Sequence, residues 1–136
     1  MRVHDYVHLL EETAVQCLDA EYDIQGGLDK THRGVWIDDK KIMAIGCAVK
    51  HRITMHGFAL NVNTDLNHFS WIRPCGITGK GVTSIQEQTG MVCDMEEAGR
   101  NMLKHFSSLM GLNPELINRR QLENLVLELE HETAQT

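Results

Sequence analysis

Cys75 is the residue whose neighbours best suit it to act as a nucleophile. It lies between Pro74 and Gly76, so the backbone bends there and the glycine lets a substrate carbonyl come close to the main chain. A thiol attacks only as a thiolate, and a nearby cation lowers its pKa. This environment suits a nucleophile, and a role in acyl transfer would require such a cation nearby. The candidate cations are Lys41, Arg73 and His56, and spacing alone does not choose among them.

The other three cysteines are predicted to be structural, and two histidines with metal-binding spacing are predicted to face solvent. Cys17 belongs to the apolar face of a helix, Cys47 to a strand and Cys93 to a helix start, which is typical of cysteine used as a small hydrophobe. The four cysteines form no Cys-x-x-Cys pair, so neither a zinc site nor a redox motif is predicted. His4 and His8 share a helix face without a third ligand, and we expect both to face solvent.

Length, charge and hydropathy exclude several classes of protein. A chain of 136 residues fits one domain, and a net charge of -6 offers no basic surface for nucleic acid. Its apolar runs are too short to span a bilayer, and residues 1–6 lack the apolar centre of a signal peptide. The sequence therefore predicts a soluble, intracellular globular protein with no visible targeting segment.

The first half of the chain predicts a helix followed by a β-hairpin and a third strand. Apolar residues recur at helical spacing over residues 3–21, which predicts an amphipathic helix. Residues 34–37 predict a strand that enters a tight turn at 38–40, and residues 41–49 predict the returning strand. Residues 53–63 predict a third strand.

The second half predicts mainly helices. A short helical turn is expected over residues 64–72, and a longer helix from Met95 to Leu109 with Gly111 as its C-terminal cap. Asn113 and Pro114 predict the restart of a last helix. The apolar residues of that helix, which we expect to form core or a dimer surface, are Leu122, Leu125, Val126 and Leu129. The element order favours an α+β fold with a mostly antiparallel sheet flanked by helices.

Two glycines inside predicted strands mark candidate binding positions. Gly46 and Gly57 each weaken a strand, and glycine at such a place is typical of a bulge or of a ligand that approaches the backbone closely.

Four blocks of the chain resemble the octanoyltransferase family, in the order and at the spacing found there. Residues 34–36 are similar to its G-V-W block and residues 41–46 to its K-I-x-x-I-G block. Residues 54–63 resemble H-G-x-A-L-N-V, and residues 74–77 match P-C-G-I. The resemblance covers about two-thirds of the chain and implies the α+β catalytic domain shared by biotin ligases, lipoate ligases and octanoyltransferases.

The resemblance also implies a role for each matching residue. Cys75 would hold the acyl group as a thioester, and Lys41 would lower the pKa of that thiol and act as general acid and base. His56 would either hydrogen-bond in the core or orient a substrate group. The residues that the resemblance assigns to the acyl pocket are Ala44, Ile45, Gly46, His56, Gly57, Phe58 and Ala59.

The implied reaction moves octanoate from acyl carrier protein to a lysine of a lipoyl domain, without a cofactor. The acceptors would be lipoyl domains of 2-oxoacid dehydrogenase complexes or the glycine cleavage H protein. Such enzymes work in bacterial cytoplasm, in mitochondria or in plastids. Lipoate and biotin ligases resemble this fold but need ATP and lack the cysteine nucleophile, so Cys75 argues against a ligase.

One block of the family, of the type R-G-G-x-x-T-Y-H-G-P-G-Q, has no counterpart here. Residues 1–136 are therefore expected to form a single, shortened catalytic domain, with 112–136 as a divergent helical tail. Three accounts stay open: a portion of a full octanoyltransferase, a short protein that completes its sheet by oligomerising, or a non-catalytic remnant that binds acyl carrier protein or lipoyl domains. Without the strands of the missing block we expect an unpaired sheet edge.

Overall fold

A computed structural model of the chain describes residues 1–71 and 79–134. Helix α1, Val3–Tyr22, confirms the predicted first helix and ends at Asp23, which takes the left-handed conformation with φ 55°. Its apolar side is fully buried at Ala14 and Leu18, which places this helix against the sheet. Cys17 lies on the same buried side, as predicted.

The described residues form one sheet of five strands that is antiparallel except at one pair. The sequence predicted a mostly antiparallel sheet but not its two-residue strands at 27–28 and 81–82. The strands run in the order β1-β2-β3-β4, and β5 pairs in parallel with the start of β3. The predicted third strand ends earlier than expected, because after Leu60 the backbone of Asn61 turns to accept a hydrogen bond from Ile85 N at 2.9 Å. The strands are β1 Gly27–Leu28, β2 Val35–Ile37, β3 Lys40–Lys50, β4 Ile53–Leu60 and β5 Gly81–Val82.

Strands β3 and β4 form a long ribbon that extends beyond the rest of the sheet. They are joined at His51 and Arg52, both with positive φ, the two-residue turn whose twist matches that of the strands. Residues 44–50 pair with β4 alone within the described part of the chain, so the expected unpaired edge is present there. Apolar side chains on this ribbon are exposed, at Val49, Ile53, Met55 and Phe58.

In the second half of the chain the structure confirms the predicted short turn and the long helix, and it adds a five-residue helix that the sequence did not predict. A 3-10 turn spans Leu66–Trp71, α2 spans Ile85–Thr89 and α3 spans Met95–Met110, with Gly111 as the predicted left-handed cap. The expected restart at Asn113 and Pro114 is wrong.

The last helix, α4, is Arg119–Ala134. It begins later than predicted because the preceding segment has no tertiary support: every residue from 111 to 131 is exposed. The helix starts where Asn118 can cap it locally, its side chain accepting from Gln121 N at 3.0 Å. The apolar stripe of α4 is therefore exposed and does not form core in this chain.

The core lies where α1 packs on the sheet and α3 packs against α1. Its buried residues are Ala14, Cys17, Leu18, Ile24, Val35, Ile42, Met43, Val62, Ile85, Ala98 and Met102. None of the helices in the described ranges is both long and apolar enough to span a membrane.

Candidate active site

Lys41, the predicted general acid and base, is held between two strands. Its backbone pairs with Trp36 of β2 on one side and with Val82 of β5 on the other, and Thr83 N donates to its carbonyl at 3.0 Å. The Nζ atom lies 4.7 Å from the centroid of the Trp36 ring, close enough for a cation–π contact. The Lys41 side chain is therefore half-buried on an aromatic surface.

The neighbouring lysine differs, although it lies in the same turn sequence. Lys40 is half-exposed, and its Nζ pairs with Glu87 at 3.4 Å. Lys40 is therefore a solvated lysine at the start of the strand, whereas Lys41 lies on the Trp36 ring.

Trp36 organises this part of the site and was not singled out by the sequence beyond its place in the G-V-W block. Only 5% of the residue is exposed, and its Nε1–H donates to the carbonyl of His32 at 3.1 Å, which fixes the plane of the ring. A second ammonium, that of Lys80, lies 4.6 Å from the same ring centroid. The Trp36 ring is therefore in cation–π contact with both Lys41 and Lys80.

An ion pair between distant parts of the chain holds Lys80 in place. Its Nζ lies 2.6 Å from the Asp29 carboxylate and 3.5 Å from that of Asp39. Asp29 also accepts from the backbone N–H groups of Thr31 and His32, at 2.8 and 2.9 Å. The Lys80 ammonium first, and these backbone donors next, hold the pKa of Asp29 well below its ordinary value, while Asp29 raises the pKa of Lys80.

Gly34 fixes how β2 enters the site. Its φ is +115°, and a Cβ there would lie 2.3 Å from the carbonyl oxygen of Met43, so only glycine fits. Its N–H donates at 2.9 Å to the carboxylate of Glu11, which reaches it from α1 and is 3% exposed. This contact ties the start of the G-V-W block to the first helix and so places Trp36 beside Lys41.

The seven residues assigned to the acyl pocket by resemblance lie together. They line one open cleft of about 470 Å³ on the β3–β4 ribbon. Gly46 and Gly57 pair across the two strands, and a Cβ at either would meet no atom within 4 Å, so the main chain is bare on this surface. His56 lines the cleft with a positive φ of 68°, a conformation that non-glycine residues rarely adopt. The lining residues are Ala44, Ile45, Gly46, His56, Gly57, Phe58 and Ala59.

The predicted nucleophile, Cys75, and its neighbour Arg73 lie outside the described residues, so the distance from Cys75 to Lys41 stays a prediction. Of the other cysteines, Cys17 is fully buried, and burial first, then the charge of Glu21, raises the pKa of its thiol to about 11. Such a thiol is inert, as its place on a helix face predicted.

The described residues include no cluster of side chains suited to bind a metal ion. His4 and His8 are both exposed, as predicted. Within residues 1–71 and 79–134, no three side chains of the His, Cys, Asp or Glu type converge as ligands for a metal ion.

Sequence comparisons connect this site to enzymes of protein lipoylation. The family model described as the lipoyl protein ligase A/B catalytic domain matches residues 1–107. An octanoyltransferase of Desulforamulus reducens is 47% identical over 124 residues, which are 91% of this chain and 54% of that protein. An octanoyltransferase of Caldicellulosiruptor saccharolyticus is 43% identical over 122 residues, 89% of this chain and 52% of that protein. The chain thus spans about half the length of the curated relatives it matches.

Solved structures share the fold at low sequence identity. A biotin protein ligase from Aquifex aeolicus in complex with biotin and ATP aligns with a TM-score of 0.65 and 20% identity, over 81% of this chain and 44% of that one. LipL1 of P. falciparum in complex with lipoate aligns with a TM-score of 0.60 and 14% identity, over 87% of this chain and 34% of that one. These similarities support the predicted fold class, an antiparallel sheet flanked by helices.

Proposed function

Because this chain belongs to the lipoyl protein ligase A/B catalytic domain family, we propose that it transfers octanoyl groups in protein lipoylation. The donor is octanoyl acyl carrier protein, and the acceptor is a lysine of a lipoyl domain, in a 2-oxoacid dehydrogenase complex or the glycine cleavage H protein. The observation that carries the proposal is the placement of Lys41. Its ammonium rests on the buried Trp36 ring, between two strands that fix its backbone.

The first half-reaction exchanges one thioester for another. The thiolate of Cys75 attacks the carbonyl carbon of the octanoyl thioester, the bond to the carrier's sulfur breaks, and the carrier leaves as a thiol after taking up a proton. Lys41, as a neutral amine, first accepts the proton of the Cys75 thiol. The ammonium so formed, which lies on the Trp36 ring, then gives its proton to the departing sulfur. The exchange is close to thermoneutral because a thioester replaces a thioester.

The second half-reaction makes the product amide. The amine of the acceptor lysine attacks the octanoyl carbonyl on Cys75, the C–S bond breaks, and the thiol is regenerated. Lys41 accepts the proton that the attacking amine loses. An arginine could not take this role, because a guanidinium stays protonated.

The cleft on the β3–β4 ribbon is the proposed binding site of the acyl chain. Ile45 and Phe58 supply apolar surface, and the paired glycines Gly46 and Gly57 leave the backbone accessible. Ala44 opens this surface three residues after Lys41 on the same strand, a separation of about 10 Å. An octanoyl chain whose carbonyl end leaves the cleft at Ala44 could extend along this strand towards Lys41.

The test is the intact mass of the purified chain after mixing with octanoyl acyl carrier protein, without ATP. We expect an octanoyl adduct that hydroxylamine removes, that is absent in Cys75→Ala and that forms at least about a hundredfold more slowly in Lys41→Ala. Lys40→Ala is the matched control, because this lysine pairs with Glu87 and leaves Trp36 untouched; it should react at the wild-type rate.

Two results would contradict the proposal. A folded wild-type chain that gains no adduct would not be a transferase in this form. A transfer that requires ATP and survives Cys75→Ala would identify a ligase that activates the acid as an adenylate.

A further inference from the structure

Two ammonium groups share one aromatic ring in the proposed active site. The Nζ atoms of Lys41 and Lys80 lie 4.7 and 4.6 Å from the Trp36 centroid, so they are at most about 9.3 Å apart. Like charges this close repel each other in a partly buried site, so the position of one restricts the other. This inference rests on the proposed function, in which Lys41 handles the protons.

The charges around the ring come from several elements. Asp29 lies just after β1 and binds Lys80 at 2.6 Å, and the turn between β2 and β3 adds Asp39 at 3.5 Å. His32 has its Nδ1 3.3 Å from the Asp29 carboxylate. On the far side of the strand, Lys40 and Glu87 neutralise each other at 3.4 Å.

We propose that Lys80 is a positioning residue for the transfer reaction. By occupying both the Asp29 carboxylate and part of the Trp36 ring, it confines the Lys41 ammonium to the remaining part of the ring and prevents Asp29 from capturing it. Lys80 touches no reacting atom and acts through Lys41.

The position of Lys80 in the chain explains how it stays there. It directly precedes β5, where Gly81 N donates to the carbonyl of Asp39 at 2.9 Å and Thr83 N donates to that of Lys41 at 3.0 Å. The backbone on both sides of Lys41 is therefore anchored, and Lys80 adds a constraint on its side chain. With 22% of its side chain exposed against 68% for Lys104, Lys80 is one of the more enclosed lysines of the chain.

Removal of the Lys80 charge has a specific consequence. In Lys80→Met the Asp29 carboxylate, 20% exposed, loses its nearest cation. Such a carboxylate attracts any cation within reach, and the Lys41 ammonium lies on the same ring. An ion pair with Asp29 would draw Lys41 from the ring and engage the ammonium that the reaction needs.

The first experiment measures position by NMR, and it does not depend on activity. In the wild-type chain the ε-methylene protons of Lys41 should resonate upfield of those of Lys40, because the end of the Lys41 side chain lies on the Trp36 ring whereas that of Lys40 pairs with Glu87. The upfield shift should persist in Lys80→Arg and be lost in Lys80→Met. An unchanged shift in a folded Lys80→Met variant would overturn the proposal.

The second experiment measures the rate of octanoyl-thioester formation at saturating donor. We expect a loss of about tenfold in Lys80→Met, with little change in Lys80→Arg or in the matched control Lys40→Met. The double variant Lys80→Met with Asp29→Asn should regain most of that rate, because the competing carboxylate is gone.

The NMR shift separates positioning from a merely structural role. If Lys80 only stabilised the fold, the Lys41 resonances would keep their upfield shift in folded Lys80→Met, and that result would overturn the proposal whatever the rate of the double variant. A wild-type chain that forms no thioester would instead contradict the proposed transferase function, while the NMR experiment would still decide whether Lys80 positions Lys41.

Discussion

Replacing Gly34 by alanine should strongly destabilise the chain, because the structure leaves no room for a methyl group there. The new Cβ would lie 2.3 Å from the carbonyl oxygen of Met43, far inside van der Waals contact. The contact atom at 2.3 Å is backbone, so the strand itself must move. Gly34 also has a φ of +115°, which alanine adopts only with strain.

The magnitude follows from these two effects. A non-glycine residue in a sparsely populated backbone region costs about 1–3 kcal/mol, and forcing an extra methyl into a packed site costs about 1–3 kcal/mol more. We therefore expect Gly34→Ala to lower the free energy of unfolding by about 4 kcal/mol, a large share of the roughly 5–15 kcal/mol of a typical domain.

The assay is urea unfolding followed by the fluorescence of Trp36, which is 5% exposed in the folded chain. With a slope of about 2 kcal/mol per molar urea, the midpoint should fall by about 2 M. Gly27→Ala is the control: a Cβ there meets no atom within 4 Å, and its midpoint should move by less than about 0.3 M. A Gly34→Ala midpoint within about 0.3 M of wild type would refute the reasoning.

Three further outcomes are expected. Cys17, with a pKa near 11, has about one thiol in a thousand ionised at pH 8, so iodoacetamide should leave it unlabelled in the folded chain and label it in urea, as peptide masses will show. Glu11→Ala should cost about 1–3 kcal/mol in urea unfolding, since the buried Gly34 N–H loses its acceptor, whereas Glu11→Gln should cost less. Lys80 depresses the pKa of Asp29, so their ion pair stabilises the folded chain at any pH above the unfolded-state pKa of about 3.9. This stabilisation fades as the pH falls below that value. The difference in urea midpoint between wild type and Asp29→Asn should therefore narrow below pH 4.

The sequence predicted the local elements of the fold well where one physical signal dominated. Helical spacing of apolar residues placed α1 within one residue of its observed end, Val3–Tyr22. The polar turn at residues 38–40 predicted the first hairpin, and Asp38 does take the left-handed conformation, with φ 51°. Turn chemistry and periodicity are local, so they can be read from a single chain.

Features that depend on distant contacts could not be read in the same way. The pair of Asp29 and Lys80 joins residues 51 positions apart, and nothing in either neighbourhood indicates it. The late start of α4 has a similar cause: Asn113 and Pro114 carry the usual start signals, but the segment finds nothing to pack against and stays exposed. Local signals propose a helix, whereas packing decides whether it forms.

The candidate site has one feature that the sequence could predict and one that it could not. The lining of the cleft on the β3–β4 ribbon could be expected from resemblance, because register fixes Gly46 opposite Gly57 once the two strands pair. The cation–π contact between Trp36 and Lys80 could not be predicted from the sequence, because it depends on where the chain returns to the sheet at Lys80.

The most direct test of the proposed reaction is the second half-reaction in isolation. The octanoyl adduct of the wild-type chain is separated from carrier protein and mixed, without ATP, with a lipoyl domain or H protein that has an unmodified lysine. The masses of both proteins are then followed over time, with a Lys→Arg lipoyl domain as the control.

We predict that the lipoyl domain gains one octanoyl group that resists hydroxylamine, as an amide does, while the chain loses its hydroxylamine-labile group at the same rate. An adduct that hydrolyses to free octanoate and leaves the lipoyl domain unmodified would contradict the relay through Cys75.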